Sequence, residues 1–418
     1  MSSDKLPKEF HHFIFARLFF VLGLRMITTI VIYQVFHLAS TYMVGFAGLA
    51  EFIPAVIAAL YAGHYIDKHN KKNILVWSYA CYMLCGIVLA LISLPWFGFS
   101  NASQLTVILC VVFCTGIIRS FAGPAANSMI AAIVSREQLQ KAISYNSSTW
   151  LVSSIGGHAL GGLLLALIGI SGAYFITVAL ILAALFFALQ LYPKPPVVIG
   201  KPSTEAGDLL PVYEVEKESM FTSIQKGFSY VYNNKNLLGV LSLDLFAVLF
   251  GGAVAFIPEI ASTVLHAGPI GYGFLNAAMD IGSLVSMMIL VKYPMKQKQG
   301  LKMLLAVAGF GLCIIVFGLS KVYWLSFMAL LVAGLFDAVS VVVRGTIVQL
   351  FTPDELRGRV ASINLIFINS SNELGQFESG VTSRMLGTIP AIIFGGAMSV
   401  LVVAGTWFKF PKLRKLEY

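Results

Sequence analysis

Apolar runs of about twenty residues alternate with short polar links along nearly all of this 418-residue chain. A run of that length crosses a bilayer core of roughly 30 Å as a helix. Twelve such runs are predicted, at residues 12–36, 42–62, 74–95, 105–125, 142–168, 171–192, 237–260, 271–291, 303–319, 323–346, 360–386 and 389–408. The pattern predicts an all-α polytopic membrane protein with twelve transmembrane helices in two pseudo-symmetric six-helix bundles.

The longest link divides the chain into an N-terminal six-helix half (1–192), a cytoplasmic linker (193–236) and a C-terminal six-helix half (237–418). Within the linker, Phe221, Ile224, Phe228 and Val231 recur at helical spacing opposite Gln225, Lys226 and Ser229, which predicts an amphipathic helix along the membrane face. The halves repeat weakly. Residues 45–72 align with 271–298. Ser135 to Gln138 before the fifth segment matches Thr352 to Glu355 before the eleventh, and each pattern predicts a capping box.

Composition narrows the class. The chain is 58% hydrophobic and 11% charged, with a mean hydropathy of +0.85, whereas soluble domains average about 25% charged residues. Its formal charge of +9 raises the possibility of a nucleic-acid partner until the cations are located. Of 28 Lys and Arg, 22 fall in links of one parity, Lys321 alone lies on the other side, and five lie inside segments. This asymmetry is topology rather than nucleic-acid binding, and it predicts both termini on the cytoplasmic side of the membrane. The polar, mixed-charge residues 1–12 and the long run after them do not read as a cleaved leader. Cys81 with Cys85 and Cys110 with Cys114 lie in apolar helices without His or carboxylate at ligand spacing, so they are expected to pack, and no metal or cofactor is expected.

Apart from His12 at the very edge of the first span, thirteen charged or histidine residues fall within the spans: Arg17, Arg25, Glu51, Arg119, His158, Asp244, Glu259, Asp280, Asp337, Arg344, Glu373, Glu378 and Arg384. Segments 3, 6, 9 and 12 carry none of them. Independent placement would avoid those four with roughly one chance in two hundred, so the other eight segments are expected to line a polar cavity. The candidates for the substrate or proton pathway are Arg25, Glu51, Arg119, His158, Asp244, Asp280, Asp337, Arg344 and Glu373. A proton-coupled carrier needs a carboxylate that responds to which side is open, since desolvation and nearby guanidiniums act on it in opposite senses. Asp337 and Glu51 rank first, with Asp280 and Glu373 open as alternatives to them and static pairing open for all four. His158, set between glycines, suits either proton exchange or a structural hydrogen bond. Glu259 and Arg384 read as residues snorkelling toward one surface.

The link Gly63, Asp67, Lys68, Lys71, Lys72 resembles the loop 2-3 signature of the major facilitator superfamily, in which these positions gate the cytoplasmic side. Residues 48–54, 119–125, 243–246 and the run from Asp337 through Arg344, Thr352 to Arg359 and Asn372 to Gly380 resemble the enterobactin-exporter-like branch of that superfamily. His158 stands where this branch carries a Pro. The resemblance implies the major facilitator fold, alternating access, and proton-coupled export of siderophores and varied amphipathic compounds. Mixed buried charge beside many aromatic residues is compatible with an amphipathic substrate, including an anionic one. An importer of ferrisiderophores or lysophospholipids with the same fold remains an alternative, as does a non-transporting receptor or scaffold. No phosphate-cradling Gly-Lys-Ser/Thr loop is present, and no enzymatic activity is expected. The expected partners are a small-molecule substrate, protons and the lipid bilayer, with a monomeric chain and no nucleic acid.

Overall fold

A computed structural model describes residues 6–193, 220–295, 297–353 and 356–417. Twelve α-helices organise them: α1 (Lys8–Leu38), α2 (Thr41–Lys68), α3 (Lys71–Ile92), α4 (Asn101–Ile133), α5 (Leu139–Leu189), α6 (Met220–Asn233), α7 (Lys235–Phe250), α8 (Gly268–Lys292), α9 (Gln299–Leu319), α10 (Tyr323–Leu350), α11 (Arg357–Leu386) and α12 (Thr388–Lys409). No strand occurs among the described residues. Ten helical runs among them are long and apolar enough to cross a membrane.

That number differs from the twelve predicted spans for two physical reasons. α5 is 51 residues long and holds segments 5 and 6, which part at Gly169. There φ is 71° and ψ is −177°, a backbone that a β-carbon would strain, and the chain reverses within one residue. α11 spans 30 residues but carries Asn, Ser, Glu and Gln through its middle, so it is too polar to join the ten. Segment 7 is interrupted as well: α7 stops at Gly251, and the chain continues through a 3₁₀ turn (Ala253–Phe256), one α turn (Ile257–Glu259) and a π turn (Ile260–Val264).

The helix starts correct one expectation. The box predicted at Ser135 does not form as read, and the one predicted at Thr352 lies partly outside the described residues. Ser135 closes a turn through its carbonyl, which accepts from the Gln138 amide, and α5 begins beyond it without a side-chain cap. The Thr352 hydroxyl instead donates to the Val348 carbonyl at 2.5 Å, finishing α10, while Asp354 and Glu355 lie outside the described residues. Asn70, Ser100 and Asn234 cap α3, α4 and α7 through their side chains. Each satisfies amides that the first turn leaves free.

The packing partners repeat between the halves. α2 lies on α4, α3 on α4 and α5, and α1 on α5; correspondingly α8 lies on α10, α9 on α10 and α12, and α7 on α11. The two most extensive contacts between the halves are α2 with α11 and α5 with α8. A two-fold that exchanges segment n with n+6 maps each of these onto the other. Segments 3, 6, 9 and 12 pack mainly within their own half, and they expose Trp77, Leu84, Leu182, Phe186, Leu305, Leu312, Leu401 and Phe408 to the outside. Apolar surface of that extent fits lipid rather than water. The amphipathic helix exists as α6. Val231 is buried against the C-terminal half, Tyr230 donates to the Phe351 carbonyl at 2.8 Å, and Phe228 is exposed. The side chains of Phe221 and Ile224, and residues 194–219 of the linker, lie outside the described residues.

Candidate functional site

One end of the bundle carries the 68–71 link, the 292–299 link and the chain termini, and is called the lysine-rich end. The halves close at the opposite end. There Gly162 of α5 meets Gly273 of α8 so closely that a β-carbon on Gly162 would stand 2.5 Å from the Pro269 carbonyl oxygen and 2.6 Å from the Gly273 Cα. Gly45 of α2 and Gly380 of α11 make the equivalent approach, with a β-carbon on Gly45 falling 2.9 Å from the Gly380 Cα. Glycines permit this backbone-to-backbone packing. Tyr272 donates to the Thr29 carbonyl at 2.9 Å, and its ring lies 5.4 Å from that of Tyr33.

Two residues that the sequence assigned to snorkelling belong to this closure. The Glu259 carboxylate accepts from the hydroxyls of Thr41 and Thr388, and so ties α2 to α12. The Arg384 guanidinium lies 4.8 Å over the ring of Tyr42, linking α11 to α2. Toward the lysine-rich end the picture reverses: Gly63, Gly123 and Gly345 have open space where a β-carbon would project. The cleft between the halves thus opens at the lysine-rich end.

Near mid-depth the candidate residues gather in three groups. Arg119 of α4 pairs with Glu51 of α2 at 3.1 Å and with Glu373 of α11 at 2.8 Å, so one guanidinium joins carboxylates from both halves. Glu373 is buried, whereas the Arg119 and Glu51 side chains keep 33% and 23% of their surface exposed, which leaves this group reachable from the cleft. The second group also spans the halves. Asp280 of α8 accepts from Ser154 of α5 at 2.5 Å and faces His158 Nε2 at 3.8 Å, while His158 Nδ1 lies 2.7 Å from the Thr29 hydroxyl. Arg25 of α1 stacks 4.8 Å over Trp150 beside them. The third group sits inside the C-terminal half. Arg344 of α10 pairs with buried Asp244 of α7, and Asp337 lines a cavity of about 10 Å³ with Asp244, Phe310 and Ser340.

The pseudo-symmetry extends to this chemistry. Arg119 lies on segment 4 and Arg344 on segment 10, equivalent helices, and each guanidinium holds carboxylates on neighbouring helices. Asp337 and Arg344, two turns apart on α10, both lie beside Asp244 without pairing directly. Glu378 turns to its own Thr382, whose hydroxyl donates at 2.7 Å. Of the gating positions, Gly63 and Lys68 are exposed, Lys71 and Lys72 start α3, and the Asp67 side chain lies outside the described residues.

Breaking the buried Asp244 and Arg344 pair tests the third group. Arg344→Met should destabilise the protein by about 3–5 kcal/mol, since it strands a buried carboxylate, and Asp244→Asn with Arg344→Met should recover most of that loss. Thermal unfolding of the three variants in detergent checks it.

A stack of long apolar helices, two halves with a shared pseudo-axis and an ion-paired cleft between them fit a multi-pass membrane transporter. The model of the Major Facilitator Superfamily matches residues 13–376, and the chain belongs to that family. It is 26% identical over 326 residues to the enterobactin exporter EntS of Shigella dysenteriae serotype 1, covering 77% of this chain and 72% of that one. It is 20% identical over 392 residues to macrolide efflux protein A of Streptococcus pyogenes, covering 93% and 92%. Among solved structures, a D-xylose-proton symporter superposes with a TM-score of 0.73 at 14% identity, over 98% of this chain and 99% of the other.

Proposed function

We propose that the protein exports a small amphipathic organic molecule, of the siderophore or drug kind, from the cytoplasm in exchange for protons. It works as a monomer in a bacterial inner membrane, with both termini and the lysine-rich end cytoplasmic, by rocking residues 1–192 against 237–418. The observation that carries this reading is Arg119 bridging Glu51 and Glu373 across the two halves. Rocking must break or remake that bridge, so protonation of its carboxylates and movement of the halves are coupled. Efflux-type relatives support the outward direction.

Inverted membrane vesicles test it. An imposed pH gradient should drive accumulation of one or more members of a panel of catecholates and lipophilic dyes, and collapsing the gradient should release them. Accumulation that ignores the gradient removes proton coupling. Asp337→Asn should lower gradient-driven accumulation about tenfold or more while retaining ligand binding, because the carboxylate sits beside the Asp244 and Arg344 pair rather than in the open cleft. Unchanged accumulation in that variant takes Asp337 out of the proton path.

A further inference from the structure

Outside the cleft, α8 and α10 part at the lysine-poor end around a cavity of about 500 Å³, walled by Leu265, Ile270, Phe274, Tyr323, Trp324 and Phe327. That volume falls within the roughly 300–1,000 Å³ of pockets that bury small apolar ligands. The aromatic wall is preformed: the Trp324 ring meets those of Tyr323 and Phe327 edge-on, at 5.6 and 6.0 Å. The Tyr323 hydroxyl donates to the Gly271 carbonyl at 3.2 Å and ties the two helices together beside the cavity.

The groove faces lipid. Ile270, Phe274, Val285 and Met288 are exposed apolar residues at spacings that keep to one face of α8. Asp280, which reaches Ser154 of α5, lies off this face. An exposed apolar stripe along a membrane-spanning helix is covered by acyl chains.

The mouth of the groove is positive. Lys321, exposed and two residues before Tyr323, is the only Lys, Arg, Asp or Glu in the links of the lysine-poor end. Both α8 and α10 start at the groove without a side-chain cap and without an acidic residue in the first turn, so the positive ends of two helix dipoles lie there uncompensated by a carboxylate of their own. The equivalent link of the N-terminal half differs on both counts: residues 93–100 hold no charged residue, and Ser100 caps α4 through its side chain.

An apolar groove with a cation at its mouth is complementary to an amphiphile with an acyl chain and an anionic head. We propose that the groove holds an anionic phospholipid of the adjoining leaflet, its chain against Phe274 and Trp324 and its headgroup on Lys321. Lysine serves as a point charge for phosphate. The same turn of α8 carries Tyr272 and Gly273, which close on Thr29 of α1 and Gly162 of α5, so the lipid bears on a helix of the closure.

Brominated acyl chains quench tryptophan on contact, which makes Trp324 the reporter. Full-length protein is placed in phosphatidylcholine nanodiscs with increasing fractions of chain-brominated phosphatidylglycerol or chain-brominated phosphatidylcholine. The difference in fluorescence between wild type and Trp324→Phe isolates Trp324. Half-quenching in the wild type should need about fivefold less of the phosphatidylglycerol, the preference expected of one lysine near a membrane surface. Lys321→Gln should remove that preference and Lys321→Arg should keep it, with quenching by phosphatidylcholine the same in all three proteins. Lys321 is an exposed link residue, so both variants should unfold at the wild-type temperature. Equal quenching by the two lipids in the wild type overturns the proposal, as does a preference that survives Lys321→Gln. Quenching by neither lipid, the result of a second copy of this chain covering the groove, overturns it as well.

Discussion

Arg119→Gln is expected to abolish gradient-driven accumulation, by about 100-fold or more, and to lower thermal stability in detergent. The Arg119 guanidinium lies within ion-pair distance of both Glu51 and Glu373. Its removal leaves two carboxylates, one per half, in a region where neither can be compensated cheaply. Removing one partner of a buried pair costs about 3–5 kcal/mol, and 3 kcal/mol corresponds to roughly two decades in an equilibrium. The effect should separate into two parts. Arg119→Gln with Glu373→Gln should recover stability, since one carboxylate then remains, but not transport, since the link between the halves is still gone. A double variant that transports like the wild type would show that the bridge is structural support only. Measuring unfolding and vesicle accumulation on wild type, Arg119→Gln, Glu373→Gln and the double variant gives the coupling energy directly.

The helices were legible in the sequence because the bilayer forces a one-dimensional signal: a segment must stay apolar for about twenty residues. The break at Gly169 fell where the hydropathy dipped, and the four segments without charge are the four that pack mainly within one half. The site was legible as a set of residues and not as an arrangement. Arg119 and Glu373 lie 254 positions apart in the chain, and no local spacing pairs them. Glu259 and Arg384 looked like surface anchors for the same reason: their partners, Thr41, Thr388 and Tyr42, become neighbours only when α2 meets α11 and α12. The helix starts were less legible: α5 begins beyond Ser135 without a side-chain cap. The Thr352 hydroxyl donates to the last turn of the preceding helix, a partner four residues back that the reading forward to Glu355 did not consider.

Gly162→Ala is expected to hold the lysine-poor end open and to slow transport at least fivefold. A β-carbon there would stand 2.5 Å from the Pro269 oxygen and 2.6 Å from the Gly273 Cα, both backbone atoms of α8, so no side-chain rotation can relieve the clash. α5 and α8 must separate, and the contacts that depend on their closeness, Ser154 with Asp280 and Tyr272 with the Thr29 carbonyl, must lengthen with them. Overpacking of this kind costs about 1–3 kcal/mol, and because the clash exists only in the closed arrangement, that energy shifts the open-to-closed ratio by roughly 5- to 150-fold. Gly123→Ala is the matched control, the same substitution at a glycine with nothing within 4 Å, and it should leave both ratio and transport as they are. Spin labels placed across the lysine-poor ends of α2 and α11 would read the difference: a longer distance in Gly162→Ala than in Gly123→Ala or wild type. Equal distances in all three proteins would mean that α5 and α8 part without moving the halves, and that the glycine contact serves packing rather than gating.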